Sequence, residues 1–99
     1  MYERWGSIIE FKGVKYYRKI LKPVHFMVKY QGFGISNLVI NELVEQGVQK
    51  VLIIYRGVNG EKIYTCDLDQ YITSSKTHQF GDTDYQKFVS VSDMEDITV

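Results

Sequence analysis

Between Gly34 and Leu68 the apolar and polar positions follow two rhythms in succession. Ile35, Leu38, Val39, Ile40, Leu43 and Val44 recur at helical spacing and predict a helix over 35–46, ended by Gly47. Ser36 or Gly34 is the expected N-cap, and Gly47 the left-handed residue just past the last turn. Plotted on a helical wheel, these apolar positions spread over about two thirds of the circumference. Only Asn37, Asn41 and Glu45 form an uninterrupted polar strip. A helix lying on one sheet face needs a narrower stripe, so further cover is expected from the N-terminal hairpin or from another subunit.

The rhythm then shortens to a period of two. Val51-Leu52-Ile53-Ile54-Tyr55, the dipeptide Asn59-Gly60 and a return strand predict a hairpin over 49–68. A two-residue Asn59-Gly60 loop sets Tyr55 opposite Tyr64, Ile53 opposite Cys66 and Val51 opposite Leu68, a wholly apolar core face. The reverse face receives Leu52, Ile54, Arg56, Ile63, Thr65 and Asp67. It is half apolar, and its middle calls for cover of its own.

Weaker patterns flank this segment. Residues 5–22 predict a hairpin about Lys12-Gly13, pairing Phe11 with Val14, Glu10 with Lys15, Ile9 with Tyr16 and Trp5 with Ile20. One side then carries Trp5, Ile9, Phe11, Val14, Tyr16 and Ile20, and the other Ile8, Glu10, Lys15, Tyr17 and Lys19. Pro23 closes the hairpin, a third strand is expected over 24–30, and Gln31-Gly32-Phe33-Gly34 is expected to be a loop. Capping-box spacing at Asp67/Gln70 predicts a short helix over 67–74, and the same spacing at Ser92/Glu95 a final helical turn. Residues 76–84 are polar and expected to lack regular structure, while 85–91 alternate as a last strand. The fold class is α+β: a single domain over 1–99 in which antiparallel β-hairpins pack around one central amphipathic helix.

Composition narrows the function classes. Ninety-nine residues suit one core, and 44% apolar residues with a single proline argue against disorder. No apolar run is long enough for a membrane span, and the first residues lack the apolar core of a secretory signal. The lone Cys66 forms no internal disulfide, and a cytoplasmic protein is expected. Charge is balanced overall but unevenly placed. Residues 1–30 hold seven basic against two acidic side chains, a net of +5, and residues 31–99 hold five against ten, a net of −5. The two halves are therefore suited to attract each other across a contact between copies. Alternatively, Lys12, Lys15, Tyr17, Lys19 and Lys22 form a basic, aromatic surface for nucleic acid, DNA included, or for another partner.

Chemical motifs are sparse. Asp67-x-Asp69 and Asp82-x-Asp84 are carboxylate pairs without a calcium-loop pattern. Glu10-x-Lys12 has the Glu-x-Lys form of metal-dependent nucleases, yet only Glu3 precedes it as an acidic residue. His25, His78 and Cys66 lack zinc-ligand spacing, and Gly32-x-Gly34 lacks the third glycine of a dinucleotide site. No catalytic residue, metal ligand, cofactor or small-molecule substrate is assigned.

The Gly34-Ile35-Ser36 entry, the helix end at Gln46-Gly47-Val48 and the strand Val51 to Tyr55 resemble small uncharacterised proteins of archaeal filamentous DNA viruses, over roughly residues 30–75. That resemblance implies a short single-domain protein of the host cytoplasm without assigned activity, and it carries no functional residues across. At 24% charged residues the chain shows no hyperthermophile enrichment in Lys and Glu. The expectation is a non-enzymatic binding protein, self-associating as a homodimer or engaging another protein. Leu38, Ile40, Val44, Leu52, Ile54 and Ile63 are the candidate contact or packing surface.

Overall fold

The computed structural model describes residues 6–80 and 84–98. In chain order these form β1 (Ser7–Phe11), β2 (Val14–Leu21), β3 (Gly32–Ser36), α1 (Asn37–Glu45), β4 (Lys50–Gly57), β5 (Gly60–Asp67), α2 (Leu68–Ser74), β6 (Lys76–Phe80), β7 (Asp84–Ser90) and β8 (Glu95–Asp96). Two sheets result. The larger has the order β1-β2-β4-β5-β8 and the smaller β3-β7-β6. Every neighbouring pair is antiparallel except β2 and β4, which run parallel. A parallel pair needs a crossover, and residues 22–49, carrying β3 and α1, supply it.

The fold is α+β in one domain, with a core drawn from both sheets and both helices. Tyr17 and Leu21 of β2, Val51 and Ile53 of β4 and Cys66 of β5 supply the inner face of the larger sheet. Against them lie Phe33 and Ile35 of β3, Val89 of β7, Val39, Ile40 and Leu43 of α1, and Leu68 and Tyr71 of α2. The Tyr71 hydroxyl donates toward the carbonyls of Phe33 at 3.2 Å and Lys87 at 2.9 Å, tying α2 to the smaller sheet. Burial holds its pKa well above the ordinary phenol value, so it remains a donor.

The two hairpins turn differently. At the first, Lys12 (φ 52°) and Gly13 (φ 80°) both take positive φ, as a type I′ turn requires, and the register is Phe11–Val14, Glu10–Lys15, Ile9–Tyr16. The Trp5 pairing lies outside the described residues. At the second, Gly60 (φ 118°) is left-handed and Asn59 is not, so Val58 and Asn59 form the loop and Gly57 pairs with Gly60. That shifts the partners by two from the expected register: Tyr55 faces Lys62, Ile53 faces Tyr64 and Val51 faces Cys66. A shift of two preserves which side each residue faces. Leu68 leaves the strand and opens α2 instead.

Other expectations are corrected. The third strand over 24–30 is absent: Pro23–His25 is a 3₁₀ turn, whose Lys22 N–H donates to His25 Nδ1 at 2.9 Å. Phe26 enters an aromatic cluster with Phe33 and Tyr55, whereas Val24 and Val28 of the same segment are exposed. The expected glycine loop is strand β3. Gly34 lies beneath the Phe88 ring, where a Cβ would sit 2.5 Å from Cε1, and Tyr30 stacks on that ring at 4.6 Å. The helix therefore begins later, at Asn37, with Ser36 Oγ capping the Leu38 N–H at 3.3 Å. Residues 76–80, expected to be irregular, form edge strand β6, whose polar composition suits an edge. Asp67 is the N-cap of α2, but its carboxylate bridges Lys50 at 2.8 Å, while Gln70 Nε2 donates to the Asp93 carbonyl. The last helical turn is 3₁₀, Val91–Asp93, capped by Ser90.

Candidate functional site

The parallel pairing of β2 with β4 decides where the exposed apolar surface lies. It sets the two hairpins side by side in one sheet, so the first does not cover the second. Register then joins their outward residues into lateral rows. Ile20 neighbours Ile54, which neighbours Ile63, and the Ile97 N–H donates to the Ile63 carbonyl at 2.8 Å. A second row runs Arg18, Leu52, Thr65, Glu95, and a third Tyr16, Lys50, Asp67. At one end, Ile9 with Tyr16 and Phe11 with Val14 extend the apolar area onto β1.

Both helices and the smaller sheet pack against the opposite face. Among the described residues, the outward side chains keep part of their surface in water: Phe11 is 60% exposed and Ile20 44%, and Leu52, Ile54 and Ile63 are partly buried. Four of the charges on this outer face form two direct pairs. Lys50 Nζ lies 2.8 Å from Asp67 Oδ1, and Arg56 Nε lies 3.1 Å from Glu61 Oε2. The hydrogen bond to Asp67 holds the Lys50 ammonium above its ordinary pKa. The apolar area is thus contiguous and has charged residues at its rim.

The expected surface residues divide unequally. Leu52, Ile54 and Ile63 meet on this face. Ile40 is in the core, so it contributes packing and no contact surface. Leu38, 76% exposed, and Val44, 56% exposed, lie about 120° apart on the α1 wheel, flanking the buried arc of Val39, Ile40 and Leu43. They are scattered apolar residues of the ordinary kind.

The basic candidates do not converge. Tyr17 has no exposed surface, so it offers no ring for base stacking. The Gly6 N–H donates to its hydroxyl at 2.9 Å, and burial raises its pKa. Lys15 Nζ donates to the Gln46 carbonyl at 3.0 Å, placing its charge at the C-terminal end of α1, where the helix dipole favours a cation. Lys19 points to the inner side, toward a cleft. Lys12 and Lys22 flank β2 at its two ends, about 26 Å apart along an eight-residue strand.

That cleft, about 340 Å³, lies between the end of β2, the 3₁₀ turn and the smaller sheet, and includes Lys19, His25, Ser36 and Gln86 in its lining. His25 and Ser36 already serve the backbone as acceptors at the two caps described above. Cys66 faces the core, and burial pushes its thiol up to about 11. Among the described residues no group of three His, Cys, Asp or Glu side chains is placed to hold a metal, and no helix is long and apolar enough to cross a membrane. Asp82 of the Asp82-x-Asp84 pair lies outside the described residues, and Asp84 opens β7. No protein-family model, curated protein or solved structure matches the chain.

The sequence pattern contained both apolar halves of the open face. What it missed is Ile20 as the link between them and the pair Arg18 and Glu95 at the rims. The signal was the apolar side of the first hairpin, which local pattern alone assigns to the core.

Proposed function

We propose that this chain is a non-enzymatic protein-binding module whose contact surface is the outer face of the five-stranded sheet. Self-association is the first contact to expect, because every copy carries the same face. The observation that carries the reading is the row Ile20, Ile54, Ile63, continuous across three strands, in which Ile20 is exposed and Ile54 and Ile63 are only partly buried. Covering such a row contributes about 25 cal/mol for each Å² of apolar surface removed from water.

The test compares immobilised wild-type chain with Ile54→Glu and with the exposed-lysine variant Lys12→Glu/Lys22→Glu. The reading predicts retention of a protein, the chain itself included, that survives moderate salt, is lost with Ile54→Glu and is unchanged with the lysine variant. Retention of nucleic acid that falls steeply with salt and requires the lysines would instead establish the nucleic-acid alternative.

A further inference from the structure

The charges on the open face are arranged with a symmetry that the apolar row shares. Consider the midline between β4 and β5, running along the strands. Across it, Lys50 is opposite Asp67, Leu52 opposite Thr65, Ile54 opposite Ile63 and Arg56 opposite Glu61. One strand further out, Arg18 of β2 stands in the same row as Glu95 of β8. Ile20 likewise corresponds to Ile97, the residue bonded to Ile63. Basic groups thus lie on the β2–β4 side, acidic groups on the β5–β8 side, and isoleucines on both.

A two-fold axis lying in the interface along that midline exchanges the two sides. It places each basic residue over an acidic residue of the other copy, and each isoleucine over an isoleucine. We infer that the occupant of the open face is a second copy of this chain, packed face to face about this axis. The inference rests on the protein-binding reading above and names the partner and its orientation. An isologous contact requires a self-complementary patch, and this patch is self-complementary in both charge and hydrophobicity.

Arg18 and Glu95 are the decisive pair. Lys50–Asp67 and Arg56–Glu61 are already bonded within one copy, so covering them strands no unpaired charge. Arg18 and Glu95 stand three strand spacings apart, about 14 Å, too far to pair within a copy. Across the two-fold axis Arg18 of one copy meets Glu95 of the other, twice per dimer. The usual angle of about 30° between packed sheets moves these rim positions by only a few ångströms, within reach of both long side chains. Four strands overlap about this axis, about 4.8 Å apart and up to about 20 Å long, a footprint below about 400 Å² per copy, in the range of weak, transient pairs, so association no tighter than micromolar is expected.

Sedimentation velocity over a concentration series tests the arrangement, using wild type, Arg18→Glu, Glu95→Arg, their equimolar mixture and Ile54→Glu. Both charge reversals change exposed positions, where a substitution away from packing costs little stability. The expected result is a wild-type dimer, weakened at least about tenfold by either charge reversal and restored when the two variants are mixed, because each then presents the complement of the other. Loss of the dimer with Ile54→Glu, without effect of the charge reversals, would overturn the two-fold arrangement and leave the face as the contact surface. A dimer indifferent to Ile54→Glu would overturn both. A strict monomer at millimolar concentration would overturn the second copy as occupant, and the capture comparison above would then decide whether the face binds another protein.

Discussion

The two faces of the five-stranded sheet are built from similar side chains and meet opposite fates. On the inner face Val51 and Ile53 are fully buried, together with Tyr17 and Cys66. One residue along the same strand, Leu52 and Ile54 point outward and remain half-buried. Hydrophobicity alone therefore does not decide which face is interior. The topology does, by placing α1, α2 and the smaller sheet on one side. A solvated sheet face normally alternates to polar residues, and the central row of this one does not.

The sharpest way to break the contrast is a pair of truncations in adjacent residues. Ile53→Ala should destabilise the chain by about 2–5 kcal/mol, through lost burial and the cavity left behind. Ile54→Ala should cost less, about 1 kcal/mol, in dilute solution, because its side chain keeps part of its surface in water. Denaturant melts at low protein concentration measure both. Equal losses would mean that the outer face is covered within the monomer. A smaller effect is expected where α2 closes the inner side. Tyr71→Phe removes the donor shared by the Phe33 and Lys87 carbonyls and should cost about 1–2 kcal/mol by the same melts.

Thiol chemistry sharpens the contrast further, with little perturbation of the fold. Burial first, then the Asp67 carboxylate, raises the Cys66 thiol from 9.0 to about 11, with Lys50 opposing. A folded-state value above the unfolded one means that this contribution to stability is complete below pH 9.0 and is lost as pH rises through about 11. Tyr17 and Tyr71 are raised in the same direction and add to the alkaline loss. Cys66 should accordingly resist thiol reagents near neutral pH, whereas a thiol introduced on the outer face by Leu52→Cys should react readily in dilute solution.

How much of this was legible in the sequence follows from how local each signal is. The Lys12-Gly13 turn and its register were legible, because positive φ at two successive residues is a two-residue problem. The C-terminal stop of α1 at Gly47 (φ 74°) was legible for the same reason. The faces of the second hairpin survived a register error of two, since side-chain direction has period two. Strand β3 was illegible because its glycines serve close packing on β7, Gly34 under the Phe88 ring and Gly32 against the Val89 backbone, residues distant in sequence. The inner side of the first hairpin was not legible, because Tyr17 and Leu21 become core only once β2 lies parallel to β4 across residues 22–49. Local pattern carries no trace of that crossover. The open face depends on the same pairing, so its two halves were visible and their union was not.

The most direct measurement of the central claim is isoleucine methyl NMR across a dilution series from millimolar to low micromolar. The account predicts concentration-dependent shifts and loss of solvent accessibility for the methyl groups of Ile20, Ile54 and Ile63. Those of Ile35, Ile40 and Ile53 in the core should not move. Outer-face methyls that stay hydrated and unshifted at every concentration, or shifts confined to a surface elsewhere on the chain, would contradict it.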